Sequence, residues 1–166
     1  MKKVLPFMGL VALVCGLVAF ILMLATSAIH GSTSLGDYSY SGVTAIFGHK
    51  STGLLDPEYK PSILALIGWI LALVGLLASL AGVLGGLLKI KALQKLGGLL
   101  MLVAAGCFLV AGIFMFLVVP TFFGANELDV PSSAGVGAGW VIGAILNLVA
   151  AAAAALPAVM GLLGKK

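Results

Sequence analysis

Arginine is absent: all nine cations of this chain are lysine. Planar, bidentate recognition of phosphate is therefore not built in, and nucleic acid is not an expected partner. Charge of either sign is scarce, at 8% of residues, whereas soluble domains carry about a quarter. With 62% hydrophobic residues in 166, the chain reads as one integral membrane domain. There are only two cysteines, Cys15 and Cys107, and neither lies in a loop. Each falls about twelve residues from a lysine group, near mid-bilayer at about 1.5 Å per residue, as small apolar filler rather than a disulfide. No H-x-x-x-H, C-x-x-C, EF-hand, G-x-S-x-G or P-loop pattern occurs. Gly135-Val136-Gly137-Ala138-Gly139 enters a membrane helix and lacks a phosphate-binding lysine. Catalytic, cofactor-binding and metal-binding residues are accordingly assigned to none.

Four apolar stretches remain, and none holds Asp, Glu, Lys, Arg or His in its interior. Proton relays, coupled transport and voltage sensing use such groups, so their absence argues against those activities. Backbone carbonyls can still line a channel. The spans are read as 4–29, 62–88, 96–119 and 139–163, with links at 30–61, 89–95 and 120–138. Val4 to Ala25 is too long for the apolar region of a signal peptide and is expected to be retained as the first span. Lys2, Lys3, Lys89, Lys91, Lys95, Lys165 and Lys166 lie at the two ends and in the short link. All five acids, Asp37, Asp56, Glu58, Glu127 and Asp129, lie in the other two links. Lysine marks the cytoplasmic side. The fold class is thus all-α: an antiparallel four-helix bundle in the plasma (inner) membrane, both termini cytoplasmic, with a short extracellular loop subdomain.

The second span carries a seam of small residues, Gly68, Ala72, Gly75, Ser79, Gly82 and Gly86. Steps of three and four put them on one helical face, where a neighbouring backbone can approach closely. Gly98, Ala105 and Gly112 repeat the pattern in the third span, Gly139 and Gly143 in the fourth, and Gly9, Ala12, Gly16 and Ala19 in the first. Asn147 is the strongest buried polar residue; it is expected to bond across to another helix, or to offer a polar lining if the bundle holds a path. Pro157 is expected to bend the last span.

In the first outer link, Ser41 as N-cap and Gly48 as terminator predict a short helix over 42–47. A β-hairpin from Tyr38-Ser39-Tyr40 into Val43–Phe47 is the alternative. Asp56-Pro57-Glu58 reads as a helix start, Pro120 as the end of the third span, and Ser132 or Ser133 as a cap for the fourth. Trp69, Trp140, Tyr38, Tyr40, Tyr59, Phe122 and Phe123 cluster toward one side, as an anchoring aromatic belt does. His30 and His49 join the acids there as a solvated surface, without metal-ligand spacing.

Two inner termini, a larger first outer loop, a short inner turn and a smaller second outer loop resemble the claudin-like tetraspan arrangement. Claudins carry a Trp and a Cys pair in the first loop; residues 30–61 contain neither, so junction function is not carried over. Tyr40-Ser41-Gly42 with Ile46-Phe47-Gly48 resembles a stretch of small bacterial four-helix membrane proteins, a likeness that brings no activity and no site residues. The resulting expectation is a non-enzymatic membrane protein that acts through helix–helix assembly. Its partners would be membrane lipid and either copies of itself or another membrane protein. The alternative is an oligomeric pore or transporter for a small solute or ion.

Overall fold

The computed structural model describes residues 4–34, 36–51, 57–88 and 91–163. Four helices are long and apolar enough to cross a membrane: α1 (Val4–Ala25), α3 (Ile63–Leu87), α4 (Lys91–Phe116) and α6 (Ala138–Leu163). α3 packs on α4, α4 on α6, α6 on α1 and α1 on α3, which closes a ring. Apolar side chains such as Leu10, Leu17, Ile70, Leu77, Leu109 and Ile142 point outward, as a bilayer solvent permits.

The remaining elements gather at the end of the bundle away from the Lys91 turn. They are β1 (Ser27–Thr33), β2 (Gly36–Ser41), α2 (Gly42–Phe47), α5 (Val118–Ala125) and β3 (Gly135–Val136). The all-α expectation is corrected here: the strands form a three-stranded antiparallel sheet in the order β2-β1-β3.

The first helix ends at Ala25, not at residue 29. Thr26 explains the stop. Its hydroxyl donates to the Leu22 carbonyl at 2.7 Å, alongside its own amide at 3.2 Å, and its carbonyl accepts from the Gly42 amide at 2.8 Å. The chain thus leaves the helix as a strand, and Ala28 and Ile29 are fully buried in the sheet.

The short helix α2 forms as its caps predict: the Ser41 hydroxyl accepts from the Thr44 amide at 3.1 Å, and Gly48 has φ +79°. A β-carbon at Gly48 would also strike the Tyr59 carbonyl. The alternative is half realised, since Tyr38–Tyr40 are in a hairpin, but their partner is 27–33 rather than 43–47. Pro57 and Glu58 start no helix, and Asp56 lies outside the described residues. α3 instead begins after Ser62, whose hydroxyl accepts from the Ala65 amide at 3.4 Å.

α4 starts at Lys91, inside the expected link, and breaks at Leu117 rather than at Pro120. Pro120 has no amide to give the Phe116 carbonyl, and at the break the Leu117 amide turns to the Phe114 carbonyl at 3.1 Å. The helix restarts as α5 with Pro120 in the first turn, where a missing donor is tolerated. The Thr121 hydroxyl donates to the Leu117 carbonyl at 2.8 Å. α6 runs unbroken through Pro157.

Candidate functional site

The small-residue seams face into the bundle, where large side chains fill them. A β-carbon on Gly68 would meet Phe114 at 3.3 Å, one on Gly75 would meet Phe108 at 3.0 Å, and one on Gly82 would meet Met101 at 3.0 Å. Ala72 and Ser79 are fully buried, and Ser79 donates to the Leu76 carbonyl at 2.9 Å. Gly86 belongs to α3, but its surroundings lie outside the described residues. Ala105 is buried and Gly98 half-buried. Gly112 lies against Ala144 and Asn147, Gly143 against Met115, and Gly139 against Thr26. Phe108, reaching between Gly16 of α1 and Gly75 of α3, occupies the middle of the ring.

Asn147 is fully buried between α6 and α4. Its Nδ2 donates to the Met115 sulfur at 3.4 Å, the cross-helix bond expected of it, while its Oδ1 has no partner among the described residues. The two cysteines are free and half-buried.

Of the aromatic residues toward this end, Trp140, Phe122 and Phe123 are buried, and Trp69, Tyr38, Tyr40 and Tyr59 are half-buried. Trp140 is fully buried and its indole N–H donates to the Met23 carbonyl at 3.1 Å, satisfying one of the open carbonyls at the end of α1. Tyr40 is packed by Tyr59 at 5.0 Å and Phe122 at 4.8 Å between ring centres. Burial of the Tyr40 hydroxyl, reinforced by its hydrogen bond and proximity to Tyr59, raises its pKa from 10.0 to about 12. This aromatic cluster joins the hairpin to α5.

Polar contacts join the two loops as well. Asn126 clamps the Lys60 backbone through both of its polar groups: the Lys60 amide donates to Oδ1 at 2.7 Å and Nδ2 donates to the Lys60 carbonyl at 3.1 Å. The Ser62 and Thr121 hydroxyls are 2.7 Å apart. Lys60 and Glu127 form an exposed ion pair at 3.4 Å, a geometry of small energetic weight.

One face of the sheet is apolar, with Ile29 opposite Tyr40 and Gly31 opposite Tyr38. A side chain at Gly31 would collide with the Tyr38 hydroxyl. The other face is polar, because strand residues alternate. His30 stands opposite Ser39, and Ser32 opposite Asp37. Together with Ser133, Gly31 and Tyr38 they line a concavity of about 550 Å³. Ser133 does not cap α6. Its hydroxyl donates to the Ser32 carbonyl at 2.5 Å and accepts from the Ser32 amide at 3.3 Å, pinning the second loop to the sheet.

Of the outer acids and histidines, the fold thus brings His30 and Asp37 to one site. Glu127 is drawn to Lys60, and His49 pairs through its backbone with Tyr59. Among the described residues no group of three or more His, Cys, Asp or Glu could hold a metal. Sequence reasoning missed Ser32, Ser39 and Ser133. The signal lay in the polar residues at every second position on either side of Gly36. No protein-family model matches the chain, and no curated protein matches it.

Proposed function

We propose that the chain is a non-enzymatic, multi-pass membrane protein that acts through assembly, with the head as its working surface. Its partners would be a second copy or another membrane protein. The lysine distribution argues for both termini on the cytoplasmic side of the plasma (inner) membrane, with the head outside. The tetraspan resemblance is part of the same proposal. One observation carries it: both long loops fold into a single hydrogen-bonded head, while the glycine seams are filled from within the bundle. Helix seams already occupied by Phe108, Met101 and Met115 leave the head as the surface best suited to specific contact.

Cross-linking in native membranes tests this. With Cys15 and Cys107 replaced by Ala, a single cysteine is placed at Asp129 in the head or at the outward-facing Leu109 of α4. Adducts from the Asp129 position support the proposal. Adducts from the Leu109 position alone move assembly to the helices, and none from either ends it.

The unpartnered Oδ1 of Asn147 favours a second reading, a solute path that opens between α4 and α6. Flux after reconstitution, lost in Asn147→Leu, would support it. No flux retires it.

A further inference from the structure

We propose that the polar concavity of the head sheet binds a neutral, polyhydroxylated ligand: a carbohydrate, presented either as a free glycan or as a glycolipid headgroup. The inference rests on the head being the working surface. It deepens that reading by naming a ligand class.

The lining decides the chemistry. It contains no lysine or arginine, and its only carboxylate, Asp37, opposes phosphate, sulfate and carboxylate ligands with like charge. A divalent cation wants six or more hard oxygen donors, or four ligands with nitrogen or sulfur among them. Here one carboxylate and one imidazole are all the side chains of that kind. An organic cation favours an aromatic cage. The Tyr38 ring packs instead over Gly31 on the apolar face, its centre 5.8 Å from that of Tyr40. What the site offers is hydroxyl-matching chemistry. The two oxygens of Asp37 can accept a pair of neighbouring hydroxyls. His30 and Ser39 can each donate and accept. The structure gives the His30, Asp37 and Ser39 side chains no hydrogen bond among the described residues. Ser133 is already held to the Ser32 backbone by two hydrogen bonds. The volume, about 550 Å³, lies within the range of about 300–1,000 Å³ typical of small-molecule sites.

The test uses the full chain in phosphatidylcholine nanodiscs, free of sugar-headed detergent. Maltose, lactose and cellobiose are tried singly by ligand-observed saturation-transfer NMR. Capture by phosphatidylcholine vesicles carrying digalactosyldiacylglycerol is measured in parallel. Asp37→Asn is expected to weaken binding about tenfold or more, the loss of a hydrogen bond that a charged group strengthens, and Ser39→Ala by about two- to tenfold, the loss of a neutral one. Asp129→Asn, outside the concavity, is expected to leave it unchanged. A disaccharide signal lost in Asp37→Asn assigns a free glycan. Vesicle capture alone, lost in the same variant, assigns a lipid-borne headgroup. Three results overturn the proposal: no binding in either arm, binding that Asp37→Asn leaves intact, or binding of tetramethylammonium or zinc in place of every sugar. Cross-linking at the Asp129 position reports separately on assembly. Cross-links without sugar binding remove only the ligand assignment; sugar binding without cross-links removes the assembly reading.

Discussion

The ring of Phe108 occupies the space that a β-carbon of Gly16 would need. One side chain on α4 thus sets how closely α1 can approach, and a β-carbon added at Gly75 of α3 would meet the same ring at 3.0 Å. Gly16→Ala is expected to destabilise the bundle by about 1–3 kcal/mol, the usual penalty for overpacking. Gly106 lies on the same helix as Phe108 with nothing within 4 Å of its would-be β-carbon. Gly106→Ala is expected to be neutral or stabilising by up to about 1 kcal/mol. Thermal unfolding of the two variants in one detergent checks the contrast.

The two tryptophans invite a paired substitution. Trp140 gives its indole N–H to the Met23 carbonyl, whereas the Trp69 N–H is buried with no partner among the described residues. Trp140→Phe strands that carbonyl and is expected to cost about 1–3 kcal/mol. Trp69→Phe removes an unsatisfied donor while keeping a ring against Phe20 and Phe47, and is expected to cost less. Equal losses in denaturant unfolding would contradict the assigned hydrogen bond.

Asn126 holds both backbone polar groups of Lys60, its amide and its carbonyl. Asn126→Ala is expected to loosen the attachment of the first loop to α5 at a cost of about 1–3 kcal/mol, two modest hydrogen bonds. The effect should be local. Hydrogen exchange at the Lys60 amide is expected to accelerate, with the exchange of α3 and α4 unchanged.

Tyr40 makes the head sensitive to alkali. Its folded pKa, about 12, stands above the ordinary 10.0. The stabilisation from keeping the hydroxyl neutral is therefore complete below the unfolded pKa and lost as pH rises from there through the folded one. Tyrosinate absorbance followed against pH is expected to show a late step near pH 12, absent in Tyr40→Phe.

The spans were legible because lipid imposes a length and a composition that no soluble helix requires. The Ser41–Gly48 pair could be read because a cap is a local device. The sheet could not. β3 has two residues, too few to show any alternation, and its partner Ile29 looked like the end of a span. Only the meeting of α1 and α6 makes Gly135 and Val136 a strand. A side chain at Gly137 would collide with the Ser27 carbonyl, a requirement invisible from sequence spacing. Ser133 offered an ordinary capping signal, yet its hydroxyl is held by a peptide 101 positions away. The meeting of His30 with Asp37 needed the register of a hairpin.

Thr26 alone separates α1 from β1, and Gly137 alone separates β3 from α6. The ladder from Ile29 to Val136 therefore works as a clasp across the tops of two adjacent rods. If one rod slid lengthwise against the other, as a change in bilayer thickness would urge, the strands would have to shear by whole residues. The clasp therefore fixes the lengthwise register of α1 against α6 at the head.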